Sequence, residues 1–293
     1  MQEKSRYMSH PFTISKNEII RLDDVEAREL IARLCNAELR KAGVSEAAVT
    51  WGGDQRARDG GVDVRVKVSP AAGINGYIPS DNTVIQVKAV KAFGPSKVAD
   101  EMMSAGALLP TIKELAKSSG AYLIVSTKEN LSDSSLRSRL DAMEECLSSS
   151  SLAGKVKIDF YDSQRVAGWV GRHPSVLIWV KSALGSPMSG WQPYQPWAYH
   201  EEDLESEYLL DGQIKVFRPG HDEGVSALDA INRLRKDLDQ NSVSVRLVGL
   251  SGVGKTRLMQ ALFDQRINTE SHALKRERAI YTDLSDNPTP QPN

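Results

Sequence analysis

The chain has 293 residues, 40% hydrophobic and 26% charged, with 37 Lys and Arg set against 38 Asp and Glu for a net charge of −1. This ordinary globular composition excludes a collagen, a wholly disordered chain and a disulfide scaffold, and at roughly 150 residues per domain the length points to about two domains. With no global positive field, any nucleic-acid partner has to be met by a local basic surface.

Cys35 and Cys146 are the only cysteines, far apart and without a C-x-x-C, so they build neither a zinc ribbon nor a redox motif and read as small buried hydrophobes of a reduced, cytoplasmic protein. The opening MQEKSRYMSHPF lacks the apolar core of a signal peptide. No stretch approaches the ~18 uncharged apolar residues of a membrane span, so no membrane partner is expected.

In chain order, Val25 to Leu39 carries Ala27, Leu30, Ile31, Leu34 and Cys35 at helical spacing, and Ala42-Gly43 ends the helix. Trp51 to Gly61 is a Gly- and Asp-rich loop. From Val62 to Val68 the valines alternate with Asp63, Arg65 and Lys67, which predicts a half-buried strand with one charged face. Thr83 to Val90 predicts a second strand, antiparallel to the first, with Ile85, Val87 and Ala89 on one face and Val84, Gln86 and Lys88 on the other. There follow a helix (Ser96 to Lys117), a buried strand (Tyr122 to Ser126), a helix (Leu131 to Leu147), a strand (Val156 to Phe160) and a helical stretch (Ser163 to Ala183). This order predicts an α/β fold, a mixed sheet flanked by helices, over residues 1–184.

The composition shifts at Gly185. Three prolines, Trp191, Trp197 and the carboxylates Glu201, Glu202, Asp203, Glu205, Glu207 and Asp211 mark residues 185–210 as a linker, docked rather than floppy because of its tryptophans. A second domain is expected over 211–293, with an amphipathic helix from Ser226 to Leu238, a strand from Val243 to Val248 and a helix from Arg257 to Asp264.

Between that strand and helix, Gly249-Leu-Ser-Gly252-Val-Gly254-Lys255-Thr256 matches G-x-x-x-x-G-K-[ST]. Backbone N–H groups of such a loop surround a β-phosphate, which side chains at Gly249, Gly252 and Gly254 would obstruct. Lys255 reaches the β- and γ-phosphates and Thr256 supplies a Mg²⁺ ligand, so the expected cofactors here are ATP and Mg²⁺. Hydrolysis needs an acid at the end of a second buried strand. The one candidate, Asp283, reads as an ordinary strand end. Only 37 residues follow Thr256, so the chain is expected to be the N-terminal piece of a longer protein.

GLSGVGKTRLMQALFD resembles the P-loop of STAND-class signalling NTPases, and YTDLSDNPTPQP looks like their next strand. In the first domain, Asp59-Gly-Gly-Val-Asp63, 22 intervening residues, then Gln86-Val-Lys88 resembles the PD-(D/E)xK nucleases, closest to the Mrr-like restriction-endonuclease branch. A carboxylate and a second oxygen on adjacent strands can hold a hard cation, and a lysine on the same face can stabilise the phosphorane charge. By the resemblance, Asp63 is the metal-binding aspartate, Gln86 the second ligand and Lys88 the catalytic lysine, working with Mg²⁺ or Mn²⁺. The family also has a glutamate on its first helix, for which Glu29 is the candidate and Glu26 the alternative. Arg56, Arg58, Arg65, Lys67 and Lys91 could supply phosphate contacts. Trp169 and Trp179 are expected to pack core, and the five histidines carry no ligand spacing.

A nuclease joined to a STAND-like NTPase resembles the antiviral STAND (Avs-type) proteins of bacteria. The resemblance implies cleavage of double-stranded DNA as the effector activity, ATP-dependent self-association as the switch, and a phage protein such as terminase or portal as the trigger, sensed by a C-terminal region this chain lacks. Two alternatives stay open: a stand-alone modification-dependent restriction endonuclease with a P-loop motor, and a nucleotide-binding switch with a catalytically dead nuclease-like module.

Overall fold

The computed structural model describes residues 12–52, 62–198, 208, 213–240, 243–264, 266–267 and 273–290, without side chains at 273 and 274. Arg56, Arg58, Asp59 and its two glycines, the carboxylates Glu201, Glu202, Asp203, Glu205, Glu207 and Asp211, and His10, His200 and His272 lie outside the described residues. Among the described residues no helix is long and apolar enough to cross a membrane. The chain divides into two units, one holding the described residues up to Trp191 together with 282–290, the other running from Gln192 to Tyr281.

In the first unit, Ser15 caps a single turn, α1 (Lys16–Ile19), and Asp23 caps α2 (Asp24–Lys41) through a reciprocal box in which the Glu26 carboxylate accepts from the Asp23 N–H at 2.8 Å. Strands β1 (Val49–Trp51), β2 (Val64–Lys67) and β3 (Asn82–Lys88) follow. The single helix expected over Ser96 to Lys117 is two, α3 (Pro95–Met102) and α4 (Pro110–Lys117), separated by a hairpin of β4 (Met103–Ser104) and β5 (Ala107–Leu108). Two local causes break it: Ala105 and Gly106 turn at φ +50° and +78°, and Pro110 cannot continue a preceding helical turn. Next come β6 (Ala121–Ser126), α5 (Asp133–Ser149) and β7 (Lys157–Tyr161). The last helical stretch is also two helices, α6 (Ser163–Val170) and α7 (Pro174–Ala183), because Pro174 opens a new first turn.

The five-stranded sheet is ordered β1-β2-β3-β6-β7, antiparallel from β1 to β3 and parallel from β3 to β7. It is a mixed sheet flanked by helices, as the strand and helix pattern predicts. Ile85, Val87, Leu123 and Val125 face a core shared with α2, α6 and α7, while Val84, Tyr122, Ile124 and Phe160 face a second core under α3, α4 and α5. Both cysteines are buried and free. Trp169 is fully buried and stacks on Tyr77 with centroids 4.8 Å apart, and Trp179 carries the Arg33 guanidinium over its ring at 4.8 Å.

The expected linker is divided between the units. Trp191 meets Phe12 edge-on at 4.9 Å, and its ring N–H donates to the Pro290 carbonyl at 2.8 Å. In the second unit Trp197 stacks on Tyr281 at 4.1 Å. Strand β8 (Trp191–Pro193) leads into α8 (Tyr194–Ala198), then β9 (Lys215–Val216) and β10 (Val225–Ser226) form a short hairpin before α9 (Ala227–Asp237). Helices α10 (Lys255–Ala261) and α11 (Ala273–Arg278) and strand β11 (Ile280–Thr282) complete it, with β11 pairing to β8. Ile231, Ala261, Leu262 and Ile267 form its core. The strand expected over Val243 to Val248 is not formed. A strand needs a neighbour for its N–H and C=O groups, none of the described segments pairs with it, and Val243, Val245 and Val248 are exposed.

Helices α2, α6 and α7 are held together by one buried carboxylate. Glu38 Oε1 accepts from the Trp169 ring N–H at 3.0 Å and lies 3.0 Å from His173 Nε2, while Lys41 Nζ donates to Oε2 at 3.2 Å. Burial raises the Glu38 pKa, but His173 and Lys41 outweigh it and hold the carboxyl below its ordinary range. Replacing Glu38 by Leu leaves the Trp169 and His173 nitrogens without their buried partner and is expected to cost about 2–4 kcal/mol in denaturant unfolding. Because the folded pKa is depressed, the carboxylate's contribution is full above the unfolded-state value and is lost as pH falls through the folded one. The stability gap between wild type and Glu38→Gln should therefore narrow below about pH 4.

Candidate functional site

Strand alternation decides which side chains meet. With Val64 opposite Ile85 in the antiparallel register, Asp63 stands beside Gln86, and its N–H donates to the Ile85 carbonyl at 3.1 Å. Val64 and Val66 point to the α2 side. Arg65 therefore belongs to the opposite face with Gln86 and Lys88 and reaches Glu114 on α4 at 3.0 Å, while Asp63 lies just before β2. The Asp63 carboxylate turns back to the strand end, where Oδ2 accepts the Val87 N–H at 2.7 Å and Oδ1 lies 3.3 Å from Arg28 Nε on α2.

Gln86 is buried, only 4% exposed, so each polar atom of its amide requires a partner. Its oxygen accepts from the Tyr122 hydroxyl and its nitrogen donates to Glu101 Oε2 at 2.6 Å. Glu101 Oε1 in turn holds Lys88 Nζ at 2.7 Å. Burial, and then the charges of Glu101 and Asp63, push the Tyr122 phenol far above its usual range, so it stays a hydrogen-bond donor.

Gln86 and Lys88 are thus joined through Glu101, while Asp63 is bonded to the backbone N–H of Val87 between them. Neither candidate glutamate of the first helix is bonded to them: Glu29 Oε1 accepts from Arg33 Nε at 2.8 Å on its own helix, and Glu26 closes the capping box. The carboxylate that does join the cluster is Glu101, which sequence reasoning missed together with Tyr122 and Arg28. The signal available was weak, an acid 13 residues beyond Lys88 in a segment read as one long helix. Lys67 and Lys91 are exposed.

In the second unit the glycine loop precedes α10 directly. Gly252 and Gly254 sit at φ +81° and +87°, where a side chain is strained although an added Cβ would meet nothing within 4 Å. Lys255 Nζ donates to the Gly249 and Leu250 carbonyls at 2.8 and 2.6 Å, folding its ammonium over the loop, and Thr256 is exposed at the head of the helix. The loop borders a cavity of about 1000 Å³ lined also by Tyr208, Arg246, Val248 and Arg257. Such a space accommodates a nucleotide, with backbone N–H groups, a lysine and a hydroxyl for its phosphates and their metal.

Tyr208 has two guanidiniums over its ring, Arg257 at 4.2 Å and Arg266 at 4.9 Å, and donates to the buried Asp264 at 2.8 Å. Burial and that bond raise its phenol to about 12. The sequence pattern does not signal this group. Asp283, the candidate second acid, caps a short turn, accepting from the Ser285 N–H at 2.8 Å and its hydroxyl at 2.7 Å.

No protein-family model matches this chain, and no curated protein and no solved structure matches it.

Since the space around Gly254 is open, the cost of a side chain there is conformational. Gly254→Ala is expected to destabilise the second unit by about 1–2 kcal/mol, read as a lower midpoint in scanning calorimetry.

Proposed function

We propose that the chain is a metal-dependent endonuclease cutting double-stranded DNA, joined to an ATP-binding switch of the STAND class, and that it acts in antiphage defence. The first unit would then be a restriction-endonuclease-like domain and the second the start of a P-loop NTPase. The observation that carries this is that Asp63 accepts the N–H of Val87, between Gln86 and Lys88, at the adjoining ends of β2 and β3 in a helix-flanked mixed sheet. That is the arrangement expected from the nucleases whose motif the segment resembles.

The donor set fits a hard cation, which takes one or two carboxylates and fills its remaining positions with water and substrate phosphate. Asp63, with one further oxygen from the Gln86 and Glu101 pair, would hold Mg²⁺ or Mn²⁺. When bound, the cation polarises the phosphodiester and lowers the pKa of a bound water. Lys88 contributes an ammonium to offset charge gathering on the phosphate, and Lys67 and Lys91 offer local basic surface for the DNA backbone.

In the second unit Gly249, Gly252, Gly254 and Lys255 would cradle the ATP phosphates, and Thr256 would hold their Mg²⁺. One such nuclease site cuts one strand. A double-strand break takes two copies, which ATP-dependent self-association would bring together when a phage protein such as terminase or portal is sensed. A second reading, a switch with a catalytically dead nuclease-like module, is favoured by the pairing of Lys88 with Glu101 and of Asp63 with Arg28.

Plasmid cleavage separates the two. With Mg²⁺ or Mn²⁺ the purified chain should nick supercoiled DNA, and Asp63→Ala or Lys88→Ala should each lower the rate at least ~100-fold, the size of about 3 kcal/mol of lost electrostatic stabilisation, with unchanged circular dichroism. A folded wild type without activity favours the dead module, and full activity in either variant removes the site assignment. Lys255→Ala is expected to weaken binding of a fluorescent ATP analogue by at least about tenfold, the loss of one charge-assisted phosphate contact.

A further inference from the structure

The amide of Gln86 is already engaged at both ends. Its oxygen takes the Tyr122 hydroxyl, and its nitrogen, the end that cannot bind a cation, donates to Glu101. Turning the amide over would set its oxygen against the Glu101 carboxylate and its N–H against the Tyr122 hydroxyl. Tyr122 then has to become an acceptor, and two oxygens with no proton between them face each other under a helix. The hydrogen bonds therefore hold the amide in one orientation.

Glu101 differs from Gln86 in both access and charge. Its side chain is 32% exposed, so a hydrated cation can reach it, and among the described residues its second oxygen is held by the ammonium of Lys88. Glu101 meets Gln86 and Lys88 from α3, and Asp63 accepts the N–H of Val87 between them, so both carboxylates are held at the end of β3. A divalent cation held there would take the place of the Lys88 ammonium at Glu101 and would leave that ammonium for the phosphate.

We infer that Glu101 on α3, and not Gln86, supplies the second oxygen ligand of the divalent cation alongside Asp63, and that Gln86 is a positioning residue that orients Glu101 through its side-chain nitrogen. This rests on the nuclease reading. It replaces a neutral amide oxygen with an anionic one, the stronger partner for a hard cation.

Calorimetric titration of the whole 293-residue chain with Mn²⁺, without DNA, tests it. Asp63→Asn and Glu101→Gln are each expected to weaken binding at least tenfold, Glu101→Asp to retain part of it, and Gln86→Leu to weaken it less than Glu101→Gln. Near-ultraviolet circular dichroism establishes that each variant is folded. If Glu101→Gln binds as wild type while Asp63→Asn does not, the inference is overturned and the nuclease reading stands. A loss with Gln86→Leu as large as that with Asp63→Asn, and larger than with Glu101→Gln, returns the ligand to Gln86. A wild type that takes up no Mn²⁺ overturns both readings.

Discussion

A carboxamide buried in the middle of a sheet has to find a partner for its oxygen and its nitrogen inside the protein, or each unmet group costs on the order of 1–3 kcal/mol. Gln86 imposes that condition on its surroundings. It requires a hydroxyl from the neighbouring strand, supplied by Tyr122 on β6, and an acceptor from the helix above, supplied by Glu101 on α3. The acceptor is a carboxylate, and this brings a negative charge to the sheet end and draws Lys88 to it. Asp63 approaches from the other strand, its carboxylate bonded to the Val87 N–H and facing Arg28. Each charge of the cluster is thus matched, and one polar side chain organises an acid, a base and a phenol from three elements.

Much of this was legible in the residues. Valines alternating with Asp63, Arg65 and Lys67, and Ile85 and Val87 alternating with Gln86 and Lys88, give two strands with one polar face each. Strand pairing then leaves few ways for those faces not to meet. Glu101 was not legible, because its place depends on where α3 begins and ends. Those limits are set by Pro95, by the turn at Ala105 and Gly106 and by Pro110, whereas the apolar spacing runs on through them as one helix. The first-helix glutamates are engaged elsewhere for a related reason. Glu26 and Glu29 have the expected charge and element, but a capping box and an i to i+4 pair with Arg33 take them up locally.

The second unit shows the opposite balance. The glycine loop is explicit in the sequence, and its positive φ angles at Gly252 and Gly254 follow from the residue type. The strand before it has the apolar pattern but not the partner, and pattern without pairing does not make a strand. The contacts of Tyr208 with Arg257 and Arg266 are invisible in the sequence because these neighbours come from 49 and 58 residues further along the chain.

The rim beyond the ends of β3, β6 and β7 is laced by groups shielded from water. Glu129 accepts from the Phe93 N–H at 3.0 Å and pairs with Arg139 at 3.0 Å, Arg139 also donates to the Phe93 carbonyl at 3.0 Å, and Lys128 caps the turn after α1 through the Ile20 and Leu22 carbonyls at 2.8 and 2.6 Å. Arg139 and Glu129 have only 9% and 12% of their side chains exposed. Mobile ions screen exposed charges over a Debye length of about 10 Å at 0.1 M but reach buried pairs poorly. Lys67 and Lys91 belong to the screened class, and the Glu129–Arg139 pair to the protected one. Ionic strength therefore acts on this unit selectively: salt screens the exposed charges of Lys67 and Lys91 while the loop that follows Lys88 keeps its shape.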